Sequence, residues 1–166
     1  MTKDVIGFKT RESLGFLLGG ILDRASLLED KHGDCVLITL WYSDGHGVAI
    51  HSDMQDIADR LEVGILSLER VQEEATISSI AFPRPGTPRT ISFNVPATPT
   101  RVWKLKITEA GTTCESGLRI ALADARELMI LPSGRPCFLS IFVDNHLVTA
   151  SIPEYDVTDY EQELVS

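Results

Sequence analysis

Residues 35–50 run C-V-L-I-T-L-W-Y-S-D-G-H-G-V-A-I. Cys35 to Tyr42 is rich in β-branched and aromatic residues, the types that fit a pleated, half-buried surface. Ser43-Asp44-Gly45 then supplies tight-hairpin chemistry, because Asp-Gly accepts the positive φ that such turns require. Val48-Ala49-Ile50 resumes as the returning strand. This stretch predicts an antiparallel hairpin.

Outward from it, the same two-residue period recurs. Leu61 to Val71 contributes Val63, Ile65, Leu66 and Leu68, and Ile91 to Val95 alternates strictly. In Val102 to Ile107, Lys104 and Lys106 face one way and Trp103, Leu105 and Ile107 the other. Leu118 to Leu122, Leu128 to Ile130 and Phe138 to Val143 complete a set of eight to ten strands. Strands at hairpin spacing predict a mainly β protein, an antiparallel barrel or two-sheet sandwich with short peripheral helices. The expected core comprises Ile38, Leu40, Leu66, Leu105, Leu118, Ile120, Ile130 and Phe142.

Helix signals fall in three places. Leu14, Leu17 and Leu18 have helical spacing, with Thr10 or Ser13 as caps. Gly19-Gly20 ends that run, because each glycine costs about 1 kcal/mol inside a helix; Ile21 to Leu28 then reads as a strand. Ser52 with Gln55 forms a capping box ahead of Asp53 to Arg60, and Thr158 with Glu161 forms another ahead of Asp159 to Leu164. Both predict short helices. Phe82 to Arg89 holds three prolines and a glycine and is expected to lie outside the sheet.

A shift of 80 residues places Ile38, Leu40 and Tyr42 on Leu118, Ile120 and Leu122, Asp44 on Asp124, and Val48 and Ile50 on Leu128 and Ile130. Only Asp44/Asp124 and Ile50/Ile130 are identities in that central alignment. The chain thus reads as one domain over 1–166 containing two similar four-stranded halves, 20–72 and 100–145, with an acidic tail over 153–166.

The chain has 166 residues, enough to bury a core, and its 43% hydrophobic and 23% charged content is that of a globular protein. A net charge of −9 opposes general nucleic-acid binding, whose phosphates require a field of Lys and Arg. Its apolar runs fall short of the ~18 residues that span a bilayer, and Asp4 interrupts any signal-like start. A cytoplasmic protein, away from membranes, is expected. Cys35, Cys114 and Cys137 form no CxxC spacing and read as reduced structural thiols.

Catalytic signatures are weak. Asp44, His46, His51 and Asp53 form the densest ligand-type cluster, but a five-residue separation places the two histidines on opposite strand faces. His32 and His146 stand in polar turns. Ser116 lacks the nucleophile-elbow pattern, Cys114 has no local base, and neither a Walker loop nor Gly-x-Gly-x-x-Gly is present. No metal, cofactor or catalytic residue is assigned, and enzymatic activity is the less favoured class.

Charge is segregated instead. Ala75 to Thr108 holds Arg84, Arg89, Arg101, Lys104 and Lys106 and no acid, whereas Pro153 to Ser166 holds five acids and no base. This arrangement fits a non-enzymatic interaction protein whose acidic face meets a basic partner, with Arg84, Arg89, Glu161 and Glu163 as candidate contacts. It also fits a tail docked on the basic stripe. The alternatives are a small-ligand-binding β-barrel and a hydrolase or isomerase on the same fold.

Overall fold

The computed structural model describes residues 5–10, 13–72 and 87–165, and of residues 94–96 the backbone alone. The 35–50 run forms β3 (Cys35–Tyr42) and the start of β4 (Gly47–Ala58). Tyr42 N–H donates to the His46 carbonyl at 2.9 Å, Gly45 N–H donates to the Tyr42 carbonyl at 3.0 Å, and Gly45 has φ +92°. Asp44 Oδ1 accepts from the His46 amide at 3.0 Å, tying the carboxylate to its own turn.

Before and around this hairpin lie β1 (Val5–Ile6), β2 (Leu22–Glu29), β5 (Leu61–Val71) and β6 (Thr87–Ala97). The second half contributes β7 (Pro99–Glu109), β8 (Thr112–Leu122), β9 (Glu127–Pro132), β10 (Leu139–Val143), β11 (His146–Leu147) and β12 (Glu161–Val165). The protein is mainly β, and its sheet, antiparallel apart from the contacts of the N-terminal segment, curls into a half-barrel. Strand order runs β12-β7-β8-β9-β10-β3-β2-β6, with the β4–β5 hairpin branching from β3.

The pairings of the two halves coincide position by position. Ile38↔Ile50 and Leu40↔Val48 correspond to Leu118↔Ile130 and Ile120↔Leu128. On the other edge, Leu22↔Tyr42 corresponds to Pro99↔Leu122, and Glu29↔Cys35 to Lys106↔Glu115. Each of these ladders slips at two matching places, after Leu22 and Leu28 in one and after Pro99 and Leu105 in the other. β5 and β10 match likewise, through Ile50↔Leu68 and Ile141↔Ile130. So do β6 and β12, through Leu27↔Arg89 and Glu163↔Lys104.

The N-terminal segment links the halves. Val5 and Ile6 pair with Thr113 and Cys114 of β8, and the Lys9 backbone bridges β5, donating to the Leu66 carbonyl at 3.1 Å and accepting from Leu68 at 2.8 Å. One sheet face buries the main cluster, including Leu27, Ile38, Leu40, Ile50, Leu66, Leu118, Ile120 and Ile130. A second cluster of Val63, Ile65, Leu105, Ile107, Cys114, Met129, Leu131 and Tyr160 lies apart from it. All the expected core residues are fully buried except Phe142, which is half-buried against the second cluster.

Several local expectations are corrected. Asp53 to Arg60 is not helical: β4 continues to Ala58 because β5 pairs with it from Gly47↔Val71 to Ala58↔Leu61. The tail forms a 3₁₀ helix at Val157–Asp159 and then the strand β12 instead of a helix over 159–164. Thr87, Pro88 and Arg89 belong to β6 rather than lying outside the sheet; among the described residues β6 pairs with β2 alone, and an edge position tolerates a proline without an N–H. The rest of that proline-rich stretch, 82–86, lies outside the described residues. Leu14–Leu18 is a 3₁₀ helix capped by Ser13, whose hydroxyl accepts from Gly15, and Gly19 terminates it. The peripheral helices are thus single 3₁₀ turns. Among the described residues, no helix is long and apolar enough to cross a membrane.

Candidate acidic face

The segregated charges meet inside the protein. β12 lies antiparallel on β7 with Glu161 opposite Lys106 and Glu163 opposite Lys104, so the acidic tail sits on the basic stripe. Lys106 pairs with Glu163, and Lys104 pairs with Glu115 at 2.6 Å. On the opposite face of the tail, Gln162 accepts from Arg119 at 2.7 Å, while Arg119 lies over the Trp103 ring and pairs with Glu127.

This pairing relocates the four candidate contacts. Arg89 on β6 is held by Glu29 and the Val148 carbonyl, and Glu163 is held by Lys106. Glu161 is exposed on β12, at the opposite end of the strand order from β6. Arg84 lies outside the described residues. The four do not form one described surface.

Other cations are also neutralised by the fold: Lys9 by Asp53 at 3.4 Å, Arg24 by Asp23 at 2.9 Å, Arg126 by Asp144 at 3.4 Å, and Arg135 by buried Asp34. Three acid-bearing segments instead converge on the second apolar cluster. The β4–β5 tip carries Asp56, Asp59 and Glu62, and its Ile57 packs on the cluster. The β7–β8 turn follows buried Ile107 and carries Glu109. The tail turn carries Glu154, Asp156 and Asp159, and its Tyr155 and Val157 pack on the same cluster. Among the described residues, none of these seven acids makes a salt bridge to Lys, Arg or His; Arg60 is the cation that interrupts the β4–β5 tip.

Glu154 is the distinctive member. It is half-buried, and its Oε2 accepts from the Gly64 amide at 3.0 Å. Burial holds its pKa above the ordinary carboxylate value, against the opposing pull of the Gly64 hydrogen bond. Its charge is felt next door. The Tyr155 hydroxyl is pushed up to about 12, by burial and then by Glu154 and Glu109, and burial plus Glu154 also raise Tyr160 and Cys114. Tyr160 is 6% exposed and meets Tyr155 edge to face at 6.2 Å, and its hydroxyl has no hydrogen-bond partner of ordinary geometry. Beside these groups runs an open groove of about 440 Å³ between Phe142 and the segment Ile152 to Val157.

The histidines of the cluster fall into separate groups, with His46 in the turn before β4 and His51 within it. Buried His46 stacks on Tyr42 at 4.4 Å, and its Nδ1 meets Asp44 Oδ1, while Nε2 is buried with no partner. His51 lies 3.6 Å from Asp53 in a separate group. His32 and His146 are exposed. No cluster of three metal-ligating side chains occurs among the described residues. Ser116 is fully buried at the β8 bulge, and Cys114 is buried in the second cluster.

The groove was not legible in sequence, because its walls come from β10 and the tail turn. Tyr155 and Tyr160 did carry a signal, as aromatic anchors within an acidic tail. No family model, no curated protein and no solved structure matches this chain.

Proposed function

We propose that this protein is a non-enzymatic binding module that docks a basic protein partner on the acidic face around the tail turn. The observation that carries this reading is the packing of acid-bearing segments on one apolar cluster, while most described cations are neutralised within the fold. A surface rich in unpaired carboxylates sets up a negative field that steers encounter with a positive partner. A ligand cavity inside the barrel is less supported, because Leu27, Ile38, Leu40, Leu118 and Ile120 fill the main cluster at 0–1% exposure.

The test is affinity capture from the source organism's lysate at low and high salt, with wild type beside an Asp56→Asn, Asp59→Asn, Asp159→Asn variant. Retention of the same basic protein by wild type at low salt, and its loss in the variant and at high salt, is the expected result. Retention indifferent to the variant, or no basic protein retained, sinks the reading.

One observation favours a second reading, an acid–base site at His46. Nδ1 contacts Asp44 Oδ1, and Nε2 is buried without a partner; with the proton on Nδ1, Nε2 would be the acceptor. That reading needs a substrate or nucleophile at Nε2, and Asp44→Asn would then remove activity without unfolding the hairpin.

A further inference from the structure

We infer that the groove beside the tail turn receives the cationic head of an arginine or lysine from the partner protein, with Glu154 as its counter-ion. This rests on the acidic-face reading and names the point of contact.

The groove is mixed in character. Ile152 is 69% exposed, Phe142 is half-buried, and the chain from Pro153 to Val157 forms the remaining wall. An exposed isoleucine of this size beside a half-buried carboxylate suits a residue with an apolar stem and a charged tip. Glu154 carries one hydrogen bond, from the Gly64 amide, and no salt bridge among the described residues. A carboxylate oxygen can accept more than one bond, so acceptor capacity remains for a guanidinium or ammonium.

Glu154 also stands within electrostatic reach of Tyr155 and of buried Tyr160, so its protein-side flank is aromatic. Burial also keeps the Glu154 carboxyl partly reluctant to ionise, and an entering cation would relieve that. An arginine or lysine in an extended protein segment, flanked by an apolar residue resting on Ile152, satisfies all of these features.

The test is an NMR titration of the labelled full chain with the blocked tripeptide acetyl-Leu-Arg-Leu-amide, following the Gly64 and Tyr155 amides. The controls are the same peptide with citrulline for arginine, and spermidine. Saturable movement of Gly64 with the arginine peptide alone is expected. Glu154→Gln keeps a Gly64 acceptor and should weaken binding by about tenfold or more, as for loss of a hydrogen bond to a charged group. Ile152→Ser, at an exposed site, should also weaken it and guards against misfolding of the first variant. An unmoved Gly64, an equal response to citrulline, unchanged binding by Glu154→Gln, or preference for spermidine each overturns the groove assignment. Salt-sensitive capture by the acidic face would survive any of those results, so the two readings fail separately.

Discussion

The unit β2–β6 and the unit formed by β7–β10 and β12 share one register and the same two bulges, yet they expose different chemistry. In the first unit the outer strand is β6, whose Arg89 crosses to Glu29 of β2. In the second, the equivalent strand β12 is acidic and lies on lysines of β7. Backbone pairing thus sets the frame, and the side chains at matching positions vary over it. The acidic groove belongs to the second unit alone, because the return from β11 to β12 makes the excursion through Ile152 to Tyr160.

The largest test of this equivalence is in the core. Leu40 and Ile120 occupy matching positions, and both are 0% exposed. Leu40→Ala and Ile120→Ala should each cost about 2–5 kcal/mol in urea unfolding. Costs within about 1 kcal/mol of one another would sharpen the match; a loss under about 1 kcal/mol at either site would break it.

The turns should diverge next. Both use an aspartate that accepts from the amide two residues on, Asp44 from His46 and Asp124 from Arg126. The residue needing positive φ differs: Gly45 at +92° and Ala125 at +66°. A Cβ at Gly45 would meet nothing within 4 Å, so the penalty there is purely conformational. Gly45→Ala should destabilise by about 1 kcal/mol, and Ala125→Gly should stabilise by up to about that amount. Equal signs in thermal melts would mean that the two turns are not the same structure.

These particulars show which parts of the fold could be read in advance. The hairpin was legible because turn chemistry and two-residue periodicity agree at Cys35 to Ile50. The helices expected at 53–60 and 159–164 failed for one reason. Capping boxes are local signals, and both segments are claimed by cross-strand partners far along the chain, β5 for the first and β7 for the second. The exposed β4 tip also lacks apolar alternation, so nothing in its own residues marks it as strand. The candidate site was legible only as charge. The acids of 53–62 and the tail were visible, but not their convergence over Ile57, Tyr155 and Val157.

A smaller effect probes the docked tail. Glu163 is half-exposed and pairs with Lys106, and exposed pairs contribute about 0.2–1 kcal/mol. Glu163→Lys places like charges across β7 and β12 and should cost about that much, less at high salt. Glu161→Lys faces Lys106 across the same ladder and should behave alike. Arg89→Glu is the matched change in the first unit, since it reverses the Glu29 pair on β6. A melting temperature unchanged by either tail reversal at low salt would mean that β12 is held by its backbone alone.

The smallest stability effect should have the opposite sign. Glu154 has a raised pKa in the folded protein, because burial disfavours its charged form. The folded state therefore holds its proton more tightly than the unfolded state does. The group's favourable contribution is complete below the unfolded carboxyl pKa and is lost as pH rises through the higher folded value. At neutral pH the ionised carboxylate thus opposes folding, and Glu154→Gln should raise the melting temperature slightly. The rise is small because the half-exposed charge is screened by solvent. The gap should close on acidification, where wild type carries the proton and resembles the glutamine variant. A melting temperature that falls at neutral pH would mean that the carboxylate is stabilising where it stands, leaving no unmet charge for a partner's cation. A rise, coupled with loss of the Gly64 response to the arginine peptide, would separate stability from binding at one side chain, as expected of a group placed for a partner rather than for the fold.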